Sequence, residues 1–265
     1  MRDCVFCGYQ GKLHNEHAWP EWIREVLPDG HVKGYASQHE ILVGTGYVKE
    51  STPMLRAEAA DRKVKVVCQS ECNGGWMSDL ENAAKPALEP LILGEPRNLS
   101  EEDQTLIALW AAKTEMMLQF IHRRDLRGVP PAHYEHVYAK RTAPSAMRIW
   151  LSAASDRFYR TAHYTRASRL PRGTSLLLPA SITDRDLRAL IRPNTYRSVM
   201  VIGRLVISLV GWTVADIEFS VAPKDAWAPT RRCIWPPKPA GWAWPPDVVL
   251  TSRFDIERFA ATATA

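Results

Sequence analysis

The chain has 265 residues, 46% hydrophobic and 24% charged, with five cysteines and a formal net charge of +5. This composition excludes an intrinsically disordered chain, and no apolar run reaches the roughly 18 residues that a membrane span needs. No apolar leader-like segment follows Met1, so a cytoplasmic setting without a membrane partner is expected, where a reducing compartment turns paired cysteines toward metal.

From the amino end, Cys4 and Cys7 form a C-x2-C with Gly8 immediately after, as a metal knuckle needs for its turn. In LHNEHAWPEWI, residues 13 to 23, Glu16 and His17 are consecutive, and Pro20 falls in the first turn of a short predicted helix. Residues 28 to 62 carry turn signals at Pro28, Asp29, Gly30, Gly34, Gly44, Gly46 and Pro53 around one apolar run, Ile41 to Val43. They read as an insertion, a β-excursion or loop, in which Lys33, Lys49 and Arg56 could touch phosphate. Residues 64 to 81, VKVVCQSECNGGWMSDLE, then carry a strand through Val64, Val66 and Val67 into Cys68, Cys72 and Asn73. Gly74 and Gly75 predict a tight turn with positive φ. Trp76, Met77 and Leu80 follow at helical spacing, with Asp79 and Glu81 near the start of the new helix.

Two short-spaced cysteine pairs are what a tetrahedral zinc site draws from two chain segments, so Cys4, Cys7, Cys68 and Cys72 form a candidate set. Two disulfides or four unrelated buried thiols remain the alternatives. The C-x3-C spacing of the second pair departs slightly from C-x2-C.

The second part of the chain opens on its clearest helix, residues 97 to 124, with Ser100 as N-cap, Asp103 at N3, and Leu106, Leu109, Trp110, Met117, Phe120 and Ile121 at i, i+3, i+4 spacing. Lys113, beside that stripe, is expected to extend its ammonium to water. His133 and His136 belong to a short segment expected to be a surface helix. Strands are predicted at Met147 to Leu151, Phe158 to Tyr164, Leu176 to Leu178, Val199 to Val210 and Ile217 to Val221. Arginines recur from Arg141 to Arg204 beside Phe158, Tyr159 and Tyr164; they could contact phosphates while the aromatics stack on bases, or form a solvated surface. The tail carries Trp-Pro-Pro at Trp235 and Trp244, whose prolines predict an extended segment plugged by tryptophans. Cys233 is left over, read as a buried thiol.

In the order C-x2-C, Glu-His, C-x3-C-Asn, the residues Cys4, Cys7, Glu16, His17, Pro20, Cys68, Cys72 and Asn73 make the first third of the chain resemble the HNH endonucleases. That is the ββα-metal nuclease family, here in its Cys4-zinc subgroup with a C-N-x-G-W-M motif. The resemblance implies that Glu16 and Asn73 hold a divalent Mg²⁺ or Mn²⁺ and that His17 is the general base that activates water. It also implies that Cys4, Cys7, Cys68 and Cys72 hold a structural Zn²⁺. Where the family carries an asparagine that holds the catalytic histidine loop, this chain has Lys63, with Asn15 and Asp61 as polar residues that could fill the role.

The fold class expected is α+β: residues 1 to 95 as a zinc-stabilised, treble-clef-like HNH module with the insertion at 28 to 62, and residues 96 to 265 as a helix-plus-antiparallel-sheet domain. The activity expected is hydrolysis of phosphodiester bonds in DNA, with RNA left open and a homodimer allowed. The rival is a zinc-dependent nucleic-acid-binding or interaction protein on the same scaffold with little or no turnover.

Overall fold

Two strands far apart in sequence, β1 (Leu13–His17) and β4 (Lys63–Cys68), pair antiparallel and open the fold, in a computed structural model that describes residues 3–28, 35–43, 46–55, 63–122, 127–168, 195–213 and 226–263. The register shifts between His14 and Asn15, after which Asn15 faces Lys65, Glu16 faces Val64 and His17 faces Lys63. A wide helical turn over residues 69–77 follows β4 and leads into α2 (Ser78–Leu93); α1 (Ile23–Val26) is the short helix after the Trp-Pro step.

The turn is broken at Gly75, and the expectation of positive φ there does not hold, since its φ is −102° and ψ −120°. Space is what demands glycine. A Cβ at Gly75 would stand 2.8 Å from the Ser70 carbonyl oxygen, closer than any real Cβ contact. Positive φ occurs instead at Gly8, in the first knuckle, and at Gly94, which caps α2.

β5 (Arg97–Leu99) leads into α3 (Glu101–Leu118), whose start has the predicted capping box: Asp103 N–H donates to Ser100 Oγ, and Ser100 N–H to Asp103 Oδ2. From Ile107 to Leu118 every residue of α3 is buried, so the helix is enclosed on all sides. Lys113 is therefore not extended to water: it is 2% exposed and paired with Glu81. α4 (Pro131–Lys140) follows as a surface helix, with Pro131, Ala132, Glu135, Ala139 and Lys140 exposed, but His133 falls on its buried face, with its Nδ1 2.8 Å from Tyr196 Oη.

The remaining chain builds a sheet from β6 (Met147–Ala153), β7 (Tyr159–Ser168), β8 (Thr195–Gly203), β9 (Leu205–Trp212) and β10 (Arg232–Trp235). The insertion supplies two more strands, β2 (Tyr35–Val43) and β3 (Gly46–Leu55), giving seven in the order β10-β6-β9-β8-β7-β2-β3. All pairings are antiparallel except β2 with β7. The expectations at 176–178 and 217–221 lie outside the described residues. Side chains of β8 alternate: Met200 and Ile202 join the core shared with α2 and α3, while Val199 and Val201 pack with Ile256 and Phe259 of α5 (Arg253–Ala263) on the other face. On β7 a register shift between Tyr159 and Thr161 lets Tyr159 and Tyr164, five positions apart, both pack into this second cluster, and their burial removes them as platforms for bases. Arg148 stacks over Trp212, and Arg204 Nε donates to the Ala154 carbonyl.

In the tail, β10 pairs with β6, and β11 (Trp242–Trp244) pairs with β5. Trp244 is buried and Cys233 half-buried, so the extended path is found and the fully buried thiol is not. One contiguous core runs from Cys4 through α2 and α3 to the sheet and Trp244.

α3 and the sheet also share a polar network. Glu115 Oε2 accepts from Ser198 Oγ at 2.6 Å and lies 2.9 Å from His163 Nε2, Gln119 Nε2 donates to Glu115 Oε1 at 2.5 Å, and His163 Nδ1 lies 3.4 Å from His122 Nε2. Glu115 and His163 are completely enclosed, a position that charged groups tolerate only with every lone pair matched.

Candidate metal centre and ribbon end

The four cysteines predicted as ligands come together. Their sulfurs all lie within 4.8 Å of one another, with Cys4 Sγ 3.6 Å from Cys72 Sγ and Cys7 Sγ 3.5 Å from Cys68 Sγ. A tetrahedron with metal–sulfur bonds of about 2.3 Å has edges of about 3.8 Å, so the spacing fits an ion such as zinc. A disulfide needs about 2.05 Å, and all five cysteines are free thiols.

Local structure explains the convergence. Gly8, at φ +73°, lets its N–H reach the Cys4 carbonyl at 2.9 Å, while Val5 N–H donates to the Val66 carbonyl at 3.0 Å and docks the knuckle on β4. A backbone donor also reaches the sulfurs: Cys68 N–H points at Cys4 Sγ, 3.4 Å away. The Cys72 side chain, aided by backbone amides, pulls the Cys4 thiol down to about 4; burial pushes Cys7 up to about 11. A cation here would displace thiol protons, as metal binding to cysteine requires. Phe6 packs edge-on against Trp76 and Tyr134, with centroids 5.3 Å away in each case, and fixes the knuckle to α4.

The ribbon end carries the other predicted residues. Consecutive strand residues project to opposite faces, so Glu16 and His17 part company. Glu16 turns inward, where the Asn73 amide acts on its carboxyl as a hydrogen-bond donor; burial raises its pKa, Lys113 opposes that rise, and Glu81 adds to it. The Asn73 amide also reaches Gln69 Oε1 at 3.4 Å. Glu16 and Asn73 thus stand together; these contacts use the Asn73 nitrogen, and a flip of the amide would bring its oxygen beside the Glu16 carboxylate as a donor of the kind a hard divalent cation takes.

His17 stands on the other face, its side chain 19% exposed, and no hydrogen bond joins it to Glu16 or Asn73. Its Nδ1 lies 3.8 Å from Glu21 Oε2, beyond hydrogen-bond reach. Burial first, then Lys63, depress its pKa below 6.5, which keeps the imidazole neutral near pH 7.

Beneath the ribbon lies a cluster the sequence does not announce. Glu81 Oε2 accepts from the indoles of Trp22, at 2.6 Å, and Trp110, at 2.8 Å, while Oε1 pairs with Lys113. This ties the segment after His17 to α2 and α3 at one carboxylate. Trp22 and Trp110 lie 59 and 29 residues from Glu81, so no local pattern signals the cluster.

No helix among the described residues is long and apolar enough to cross a membrane. No family model, curated protein or solved structure matches the chain.

Proposed function

We propose that the chain is a metal-dependent endonuclease of the HNH type that hydrolyses phosphodiester bonds in DNA. The observation that carries this reading is the ribbon end: a neutral, part-exposed His17 on one face and Glu16 with Asn73 on the other, on a scaffold fixed by four convergent cysteines.

Cys4, Cys7, Cys68 and Cys72 hold a zinc ion that stabilises the fold and takes no part in the chemistry. Glu16 and Asn73 would hold Mg²⁺ or Mn²⁺, which would supply Lewis-acid stabilisation of the charge on the phosphate and the leaving 3′-oxygen. His17 takes the proton of the attacking water; its Nδ1 side faces Glu21, which leaves Nε2 for the water. Lys113 favours the charged form of Glu16 and so its readiness to hold a cation.

Glu16→Gln and Asn73→Ala test the oxygen pair. Each raises the Mn²⁺ concentration needed for half-maximal cleavage of a phosphodiester reporter while zinc content stays at the parent level; unchanged metal dependence in both variants would contradict the assignment.

A second reading, a zinc-stabilised nucleic-acid-binding module without turnover, is favoured by one observation. Among the described residues, no hydrogen bond orients His17 as a general base.

A further inference from the structure

The outward face of the β1–β4 ribbon carries a line of polar residues not yet used. Beyond the register shift, Asn15 stands directly opposite Lys65 and His17 directly opposite Lys63. Directly opposed residues of an antiparallel pair project to the same face, so these four share one surface. Asn15, Lys63 and Lys65 are exposed, and the residues between them, Glu16 and Val64, turn to the other side.

Two facts set the lysines apart from ordinary surface cations. Neither makes an ion pair or side-chain hydrogen bond among the described residues, whereas Lys85 and Lys113 both pair with carboxylates. And Lys63 stands directly opposite His17, whose imidazole is neutral near pH 7, so its charge has no cross-strand partner. The neighbourhood of His17 also includes Arg24 as a further cation, with Glu21 as the acid. Lys63 and Lys65 lie two residues apart on one strand face, so their backbone positions are about 6.6 to 6.8 Å apart along it. They form a row of positive charge leading away from His17, with neither lysine paired to a carboxylate among the described residues, complementary to a polyanion whose charges also come in a row.

We infer that Lys63 and Lys65 are backbone contacts for the nucleic acid substrate, Lys63 on the phosphate that His17 addresses and Lys65 on its neighbour. This rests on the endonuclease reading. It gives the Lys63 position, where the resembled family carries an asparagine, a function of its own: a point charge that holds substrate in place of an amide that holds the histidine loop.

The test measures binding of a fluorescently labelled DNA duplex to the zinc-loaded protein over a range of salt, in a His17→Ala background so that the duplex stays intact. Both lysines are exposed, so Lys63→Gln and Lys65→Gln fold as the parent does, which circular dichroism and zinc content verify. Each neutralised phosphate contributes about 0.9 to the slope of log affinity against log salt, so each substitution lowers the slope by about 0.9 and the pair by about 1.8. Lys63→Arg and Lys65→Arg keep it. With His17 restored, Lys63→Gln lowers the rate at saturating DNA, and Lys65→Gln raises KM alone.

A folded, zinc-loaded double variant with the parent's slope overturns the inference and leaves the nuclease reading intact. The expected slopes with no cleavage under any metal keep the two contacts and remove the turnover. A parent that binds neither duplex nor single strand overturns both.

Discussion

Lys113 and Glu81 form an ion pair enclosed beneath the ribbon end, with both indoles of Trp22 and Trp110 donating to the same carboxylate. The pair joins α2 to α3 and anchors the chain just past His17, and both charges act on Glu16. Enclosed pairs of this kind are weak contributors while intact and expensive to break singly.

Lys113→Met or Glu81→Leu alone is therefore expected to cost about 3–5 kcal/mol, because each leaves a buried charge without its partner. The double variant should recover much of that loss at the lysine, offset by two indole N–H groups that lose their acceptor at about 1–3 kcal/mol each. Urea denaturation of the zinc-loaded proteins reads this directly. Additive single losses would show that the pair is not coupled.

Metal content is the second expectation. The purified protein should carry about one zinc per chain. Cys72→Ser or a strong chelator should unfold the amino-terminal module, since structural zinc contributes about 10–16 kcal/mol in small modules against total stabilities of about 5–15 kcal/mol. Cys233→Ser, outside the cluster, should leave metal content unchanged. Elemental analysis with limited proteolysis decides it, and a zinc-free protein that resists proteolysis as the parent does would contradict the structural role.

Acid sensitivity follows from His133. Burial, with His136 adding a like charge, lowers its pKa from 6.5 to about 4. The folded state therefore disfavours the proton that the unfolded chain binds below 6.5, so stability is lost as pH falls from 6.5 toward 4 and levels off below. At 1.36 kcal/mol per pH unit the loss is about 3 kcal/mol. Denaturation at pH 7 and at pH 4 should show that loss in the parent and not in His133→Gln; loss of zinc in acid is common to both proteins and cancels. Equal acid losses in the two would remove His133 as the cause.

What the sequence made legible is local. The cysteine pairs, the Ser100–Asp103 cap and the alternation through β6 to β9 each depend on residues within a few positions, where periodicity and capping chemistry act. Lys113 was read as solvated because its partner, Glu81, is 32 residues away and packs across a helix pair. His133 looked like half of a surface i, i+3 pair until Tyr196, 63 residues on, supplied its hydrogen-bond partner. The same holds for the insertion, whose strands β2 and β3 join a sheet formed mostly by the second half of the chain. Gly75 shows a subtler limit: glycine was predicted there for its dihedral freedom, and the Ser70 carbonyl demands it for space. In the candidate site the sequence named Glu16, His17 and Asn73. Which of them touch was not legible, because that depends on ribbon register, which sets His17 opposite Lys63 and turns Glu16 to the other face, where Asn73 of the following turn acts on it.

The most direct test is incubation of zinc-loaded protein with supercoiled plasmid in Mg²⁺, Mn²⁺ or EDTA, beside a folded His17→Ala variant. Metal-dependent nicking or linearisation is expected, abolished by EDTA and reduced by about 10²–10⁴-fold in the variant, the contribution of a positioned general base. No cleavage under any metal, or cleavage undiminished in His17→Ala, would contradict the account.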